Sequence, residues 1–324
     1  MKRIAVLVVF TGILTQGFGW GFYAHKVINR LAVFTLPPEL FAFYKAHLED
    51  ITEHAVDPDK RRYSDPEEAC RHYVDLDYFE HTLPLDTMPR KWKDAVARYT
   101  EDTLKAYGIV PWHIQLMMNR LTEAFKEKNI ERIIRLSADL GHYIADAHVP
   151  LHATINYNGQ LTGQQGIHAF WESRLPELYS DQYDFFVGRA QYLNNELEEA
   201  WRASEGSFAA KDSVLAFERE LNKRYDSDKK YSYEMKGQTR VRQFSEEYSS
   251  AYHRMLGDQV ERRMRQSILT VGSMWYTAWI NAGKPDLIKE SVPPAKLTDE
   301  ERKRMVAEEQ NMMWERKMLG RQEN

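Results

Sequence analysis

Between Leu140 and Glu172 the sequence sets His142, Asp146, His152, His168 and Glu172 among Leu140, Ile144, Val149, Leu151, Phe170 and Trp171, and few folds can accommodate that mixture. Ionisable side chains are costly to bury unless each is paired or coordinated. His142 and Asp146 are four residues apart, as are His168 and Glu172, a spacing that puts both members on one face of a helix. His152 follows Asp146 by six residues, just beyond Pro150, where a helix stops. A lone pair of this kind is common as a surface salt link. Two such pairs flanking His148-Val149-Pro150-Leu151-His152 point instead to imidazole and carboxylate converging on a divalent metal.

The rest of the sequence is dominated by helical spacing. Helices are predicted over 25–34, 39–48, 91–107, 112–128 and 130–147, the last with Ile133, Leu136 and Leu140 on one stripe. The stretch 50–85, rich in Asp, Pro and aromatic residues, reads as irregular, and 156–166 as a polar glycine-bearing loop. Helical patterns return over 168–179, 194–204 and 207–224, and 240–282 reads as one or two helices, with Trp275, Tyr276 and Trp279 as core. Strand-type alternation is scarce, so the expectation is an all-α fold, a single large helical bundle over 20–290. With 324 residues and 43% hydrophobic content, that core is affordable in size. Beyond Pro293 and Pro294, a linker leads to a charged helix opened by a Thr298/Glu301 capping box, and 291–324 is read as an appendage.

Residues 1–19 read as a signal peptide: Lys2 and Arg3, the apolar run Ile4 to Leu14, then Gly17-Phe18-Gly19 as a cleavage pattern. The apolar run falls short of the roughly 20 residues a spanning helix needs. Cleavage before Trp20 would export the chain to the periplasm or beyond. Cys70 is the sole cysteine, so no internal disulfide can form and the thiol is expected to be inert. A net charge of -4 gives no bulk attraction for polyanions, so any nucleic-acid contact must be local.

Upstream, Asp57 and His72 are further ligand candidates, and His25 lies about one helical turn after Trp20. A new N-terminus at Trp20 would offer a free amine, of pKa about 8, together with its own carbonyl. The set Trp20, His25, Asp57, His72, His142, Asp146, His152, His168 and Glu172 resembles the trinuclear zinc site of bacterial zinc-dependent phospholipase C and of the single-strand-specific nucleases of fungi and plants. The resemblance runs from Trp20 to about Glu177 and implies three Zn2+ in an all-helical bundle. Asp57, His72, His142 and Asp146 would hold one; His152, His168 and Glu172 a second; Trp20, His25 and Asp146 a third. It implies a phosphoric diester hydrolase in which hydroxide formed at zinc attacks phosphorus, with Asp57 either as the orienting base or as ligand only.

The resemblance leaves the substrate open between phospholipid and single-stranded nucleic acid, with membrane contact only as a substrate surface and no stable protein partner implied. Glu172 and the short 152–168 loop look like the phospholipases. The compact 20–25 opening and Lys60, three residues after Asp57 and expected near phosphate, look like the nucleases. Tyr73 and Asp75 match positions that stack on and hydrogen-bond a base. Pro58 and Ala69 stand where a choline cage would need aromatic rings. His148 is expected to support the ligands from behind, while His47, His54, His81, His113 and His253 have no ligand-like spacing. A secreted scaffold that keeps zinc only for folding is the alternative; the His152, His168 and Glu172 set, with three protein ligands and room for water, favours catalysis. An interfacial membrane protein acting through the charged tail helix is a third reading.

Overall fold

The computed structural model describes residues 21–287 apart from 86, 237 and 238. The expected leader, Trp20 and the expected C-terminal charged helix therefore lie outside the described residues. Helix α1 (Phe22–Val33) is followed by α2 (Pro38–Ala46), α3 (Leu48–Glu53) and α4 (Asp57–Arg61). Short helices α5 (Leu76–Phe79), α6 (Trp92–Tyr99) and α7 (Glu101–Tyr107) lead into the long pair α8 (Val110–Lys126) and α9 (Ile130–Ala147). Next come a 3-10 turn at Pro150–Ala153, α10 (Ile167–Ala169), a π-helical turn at Phe170–Arg174, and α11 (Leu175–Tyr179). The chain continues through α12 (Glu196–Arg224), an antiparallel hairpin of β1 (Tyr231–Lys236) and β2 (Thr239–Phe244), α13 (Glu246–Leu256) and α14 (Gln259–Asn281). No described helix is long and apolar enough to cross a membrane.

The expected all-α architecture is present, with departures that have local causes. The helix expected over 91–107 breaks at Thr100, which adopts φ 68° and caps α7 by accepting from the Thr103 N–H. The stretch 50–85, expected to be irregular, contains α4 and α5 and most of α3, whose turns are too short to show periodicity. The hairpin replaces the start of the helix expected over 240–282. Its alternation, Tyr231-Ser232-Tyr233-Glu234-Met235-Lys236, was available in the sequence as a period of two.

Helix α9 is the axis of the molecule, packed by α1, α8, α12 and α14. Trp275 of α14 is fully buried, stacks on Tyr44 at 4.8 Å between centroids, and donates its indole N–H to the Ser137 carbonyl of α9 at 3.0 Å. Burying rings of this size contributes roughly 1.5–3 kcal/mol each. Helix α1 packs tightly on α9 at Gly141, where an added Cβ would collide with the Asn29 side chain. Asn29 is buried and donates to the Ala138 carbonyl at 3.0 Å, locking the two helices in register. Because His25 precedes Asn29 by one turn and His142 follows Gly141 directly, this contact sets the separation of two candidate ligands.

Gly141→Ala is expected to push α1 off α9 and to lower unfolding free energy by about 1–3 kcal/mol. A urea midpoint unchanged from the parent protein would show that the close approach is not required.

Candidate metal centre

His25 of α1 stacks on His142 of α9 with ring centroids 3.8 Å apart, and its Nε2 lies 3.4 Å from Asp146 Oδ1. His142 and Asp146 share a face of α9, as their spacing requires, with His142 Nε2 3.3 Å from Asp146 Oδ2. The Ala55 carbonyl, 2.8 Å from His142 Nδ1, accepts a hydrogen bond from the N–H on that nitrogen and leaves Nε2 facing the interior. His72 reaches in from the segment after α4, its Nδ1 2.8 Å from Asp146 Oδ2 and 3.1 Å from His142 Nε2. Asp59 closes this side, its Oδ1 3.8 Å from His142 Nε2 and 3.9 Å from His72 Nδ1.

A second group forms where the chain leaves α9. The Pro150–Ala153 turn carries His152, whose Nδ1 is 2.6 Å from the His72 carbonyl, so its Nε2 is turned inward to 3.5 Å from Glu172 Oε2. His168 Nε2 is 3.0 Å from the same oxygen. Glu172 sits in the π-helical turn, a widening of the helix that often accompanies functional sites.

His25, His72, His142, His152, His168, Asp59, Asp146 and Glu172 are all buried. Both carboxylate oxygens of Asp59 and both of Glu172 are buried without a hydrogen bond. Burial first, then repulsion from Asp146 and Asp59, pushes the Glu172 carboxyl well above the usual carboxylate range. Burial also opposes ionisation of Asp146, yet His142 and His152 outweigh it and hold that carboxyl well below the usual range. Burial lowers His25 to about 4, reinforced by His142. For His142 burial works downward too, but Asp146 and Asp59 push it up to about 9. Asp59 and Glu172, buried with all four oxygens lacking a hydrogen bond, are the carboxylates that await a positive partner. Imidazoles whose second nitrogen faces the interior, together with carboxylate oxygens left without hydrogen bonds, are the donor set that zinc takes.

The ligand atoms fall into three groups that could each hold a metal ion: His25, Asp59 and His142; His72, His142 and Asp146; and His152, His168 and Glu172. Behind them, Glu68 is buried with its Oε1 3.4 Å from His72 Nε2 and within hydrogen-bond distance of the Tyr143 hydroxyl. Its Oε2 takes Arg71 at 2.6 Å and Arg61 at 3.3 Å, and Arg61 in turn grips Asp139 with two bonds. Glu68 thus fixes the orientation of the His72 ring, which the sequence spacing did not reveal.

Asp57 stands apart from the cluster, contrary to expectation. It pairs with His54 at 2.6 Å and with Lys60 at 3.4 Å at the rim, and Asp59 occupies the place expected for it. Residues two apart on a helix point to nearly opposite sides, so in α4 only one of the two aspartates can face inward. Val56, Asp59 and Arg62, three residues apart in turn, form the buried stripe of this segment. Arg62 follows Asp59 inward, its Nη1 3.9 Å from Asp59 Oδ1. Lys60 pairs with Asp57 at 3.4 Å.

Tyr73 is 9% exposed and packed under Gly108, its hydroxyl 3.4 Å from the Ala106 carbonyl, which leaves little ring surface for a base to stack on. Asp75 is buried as well, and its N–H donates to the Tyr107 carbonyl at 2.7 Å. His148 bonds the Ile144 carbonyl at 2.8 Å instead of backing a ligand. Cys70 is a buried thiol that burial pushes up to about 11, in keeping with an inert role.

The family model described as S1/P1 Nuclease matches residues 20–265 of the chain. A search of curated proteins finds no match.

Asp59→Asn is expected to cut metal affinity by more than the 10–100-fold that loss of a supporting contact typically costs, and Glu68→Gln by roughly 10–100-fold. Asp57→Asn should leave metal content unchanged. Equal metal loss in Asp57→Asn and Asp59→Asn, measured by elemental analysis, would refute this placement. Because His142 is protonated below about 9, it carries a proton near neutral pH that an incoming metal must displace. Calorimetric titration with zinc in buffers of different ionisation enthalpy should report proton release, and identical enthalpies in all buffers would contradict it.

Proposed function

The chain belongs to the S1/P1 nuclease family, and from that premise we infer that it is an exported, zinc-dependent phosphodiesterase that cuts single-stranded nucleic acid. The observation that carries the reading is the buried group of five imidazoles and three carboxylates in which Asp59 and Glu172 keep all four oxygens free of hydrogen bonds. We assign Asp59, His72, His142 and Asp146 to one zinc, His152, His168 and Glu172 to a second, and His25 with Asp146 to a third, completed by the amine and carbonyl of Trp20. The Gly21 N–H donates to the Glu172 carbonyl at 3.3 Å, so the start of α1 meets the segment that carries a proposed ligand.

Zinc bound in such a site lowers the pKa of water from about 16 towards roughly 7 and offsets phosphate charge. Asp59 would accept a hydrogen bond from the attacking water and orient it towards phosphorus, the role first expected of Asp57. Arg62, beside Asp59, supplies a fixed positive charge for a non-bridging phosphate oxygen. The Ala55 and His72 carbonyls hold His142 and His152 in the tautomers that present Nε2. Export follows from the leader at 1–19 and would create the free amine at Trp20.

Mature protein starting at Trp20, loaded with zinc, should cleave a single-stranded oligonucleotide and leave mixed phospholipid micelles intact. His142→Ala and Asp146→Asn should each lower that rate by at least roughly 10²–10³. Cleavage of lipid alone would overturn the nucleic-acid assignment, and tight zinc without cleavage of either substrate would leave a zinc-stabilised scaffold. N-terminal sequencing of the exported protein should begin at Trp20.

A further inference from the structure

The β1–β2 hairpin is anchored at its base to the segment that carries His168 and Glu172. Phe244 stacks on Phe170 at 3.8 Å between centroids, and Phe170 lies between those two residues in sequence. On the other face of the hairpin, Glu234 receives two bonds from Arg174, at 3.0 and 2.6 Å, and Arg174 also donates to the Phe244 carbonyl at 3.2 Å. The hairpin's only acidic side chain among the described residues is therefore turned towards the body and neutralised.

The face that bears Phe244 packs on the body only at its base, and towards the hairpin's free end it turns outward with a different chemistry. Pairing of Tyr233 with Arg242 and of Met235 with Arg240 puts these four on one side of the ribbon, and side chains in register on one face are neighbours. Tyr233 is 62% exposed and Met235 63%, and both arginines are exposed. The Arg242 guanidinium lies 3.6 Å over the Tyr231 ring and that of Arg240 4.7 Å over Tyr233. This is a run of guanidinium planes and phenol rings with no carboxylate on its side, on a chain whose overall charge is -4. A solvated ribbon face ordinarily mixes charges of both signs. Guanidinium groups stacked with phenol rings, of which Tyr233 is the exposed one, match a ligand that alternates anionic phosphate with flat bases.

We propose that the outward face of the β1–β2 hairpin, Tyr233, Met235, Arg240 and Arg242, is a binding arm for single-stranded nucleic acid that holds the strand to one side of the metal centre. The arm rests on the nuclease reading for its relation to cleavage, but its binding can be measured without cleavage. Strands of six residues reach about 20 Å, so the arm grips several nucleotides from the scissile phosphate. Stacking needs unpaired bases, so the arm favours single strands over duplex.

The test uses zinc-loaded mature protein, a fluorescein-labelled phosphorothioate oligothymidylate for anisotropy, and bis(p-nitrophenyl) phosphate as a substrate too small to reach the arm. Tyr233→Ala is expected to weaken oligonucleotide binding roughly tenfold. The pair Arg240→Ser with Arg242→Ser should lower the slope of log affinity against log salt by about 1.4, since each phosphate contact to a single strand contributes about 0.7. Arg240→Lys with Arg242→Lys should restore most of that slope. Turnover of the small diester should stay at the parent level in all three. Unchanged anisotropy would overturn the arm, and so would parallel loss of small-diester turnover, which would make the hairpin a brace for the Glu172 segment. Stronger dependence of anionic-vesicle binding than of oligonucleotide binding on these residues would overturn it in favour of a membrane contact. Failure of the parent protein to cleave any oligonucleotide would count against the nuclease reading, while the anisotropy still decides the arm.

Discussion

Asp146 is the point on which the interior depends. Its two oxygens meet His25, His72 and His142 at 3.4, 2.8 and 3.3 Å, and it has no exposure to water. A buried carboxylate of this kind is tolerable only when surrounded by positive charge or hydrogen-bond donors. Three segments far apart in sequence must therefore arrive at one place: α1, the turn leading to His72, and α9. The Asn29–Gly141 contact allows the first to do so, and Glu68 with its two arginines steadies the second.

The same requirement explains why the second group of residues is built differently. Glu172 has no comparable set of partners, and its carboxyl is pushed towards the neutral form. The side of the cluster made by His152, His168 and Glu172 is carried on a tight turn and a π-helical widening rather than on a regular helix. That irregular segment is held from outside by the hairpin, through Phe244 on Phe170 and Arg174 on Glu234. The molecule thus has one side carried by the regular helix α9 and another, irregular side that packs against the base of the hairpin.

Much of the site was legible because two periodicities carry it. The four-residue pairs His142/Asp146 and His168/Glu172 lie within helical stretches, and α9 runs from Ile130 to Ala147 as its apolar stripe foretold. Asp57 and Asp59 were not separable by that route, because α4 has only five residues and both aspartates satisfy a loose spacing rule. Tyr73 matched a base-stacking position by its place after His72, yet the left-handed Gly108 brings the backbone down on its ring. The hairpin escaped notice because six-residue alternation is short beside the long helical patterns on either side of it.

What the sequence determined by itself was local and periodic: the helices, the apolar stripes, and the residue types that must share a helical face. Hydrophobic spacing reports which side of an element is buried, and that is information carried by neighbours in the chain. Only the tertiary structure decided which aspartate faces the cluster, that Glu68 backs His72, and that a basic and aromatic ribbon stands over the Glu172 segment. Those outcomes depend on contacts between residues far apart in sequence, such as His72 with Asp146 and Phe170 with Phe244. No local pattern encodes such contacts, because their energies arise only after packing has removed water from between the elements.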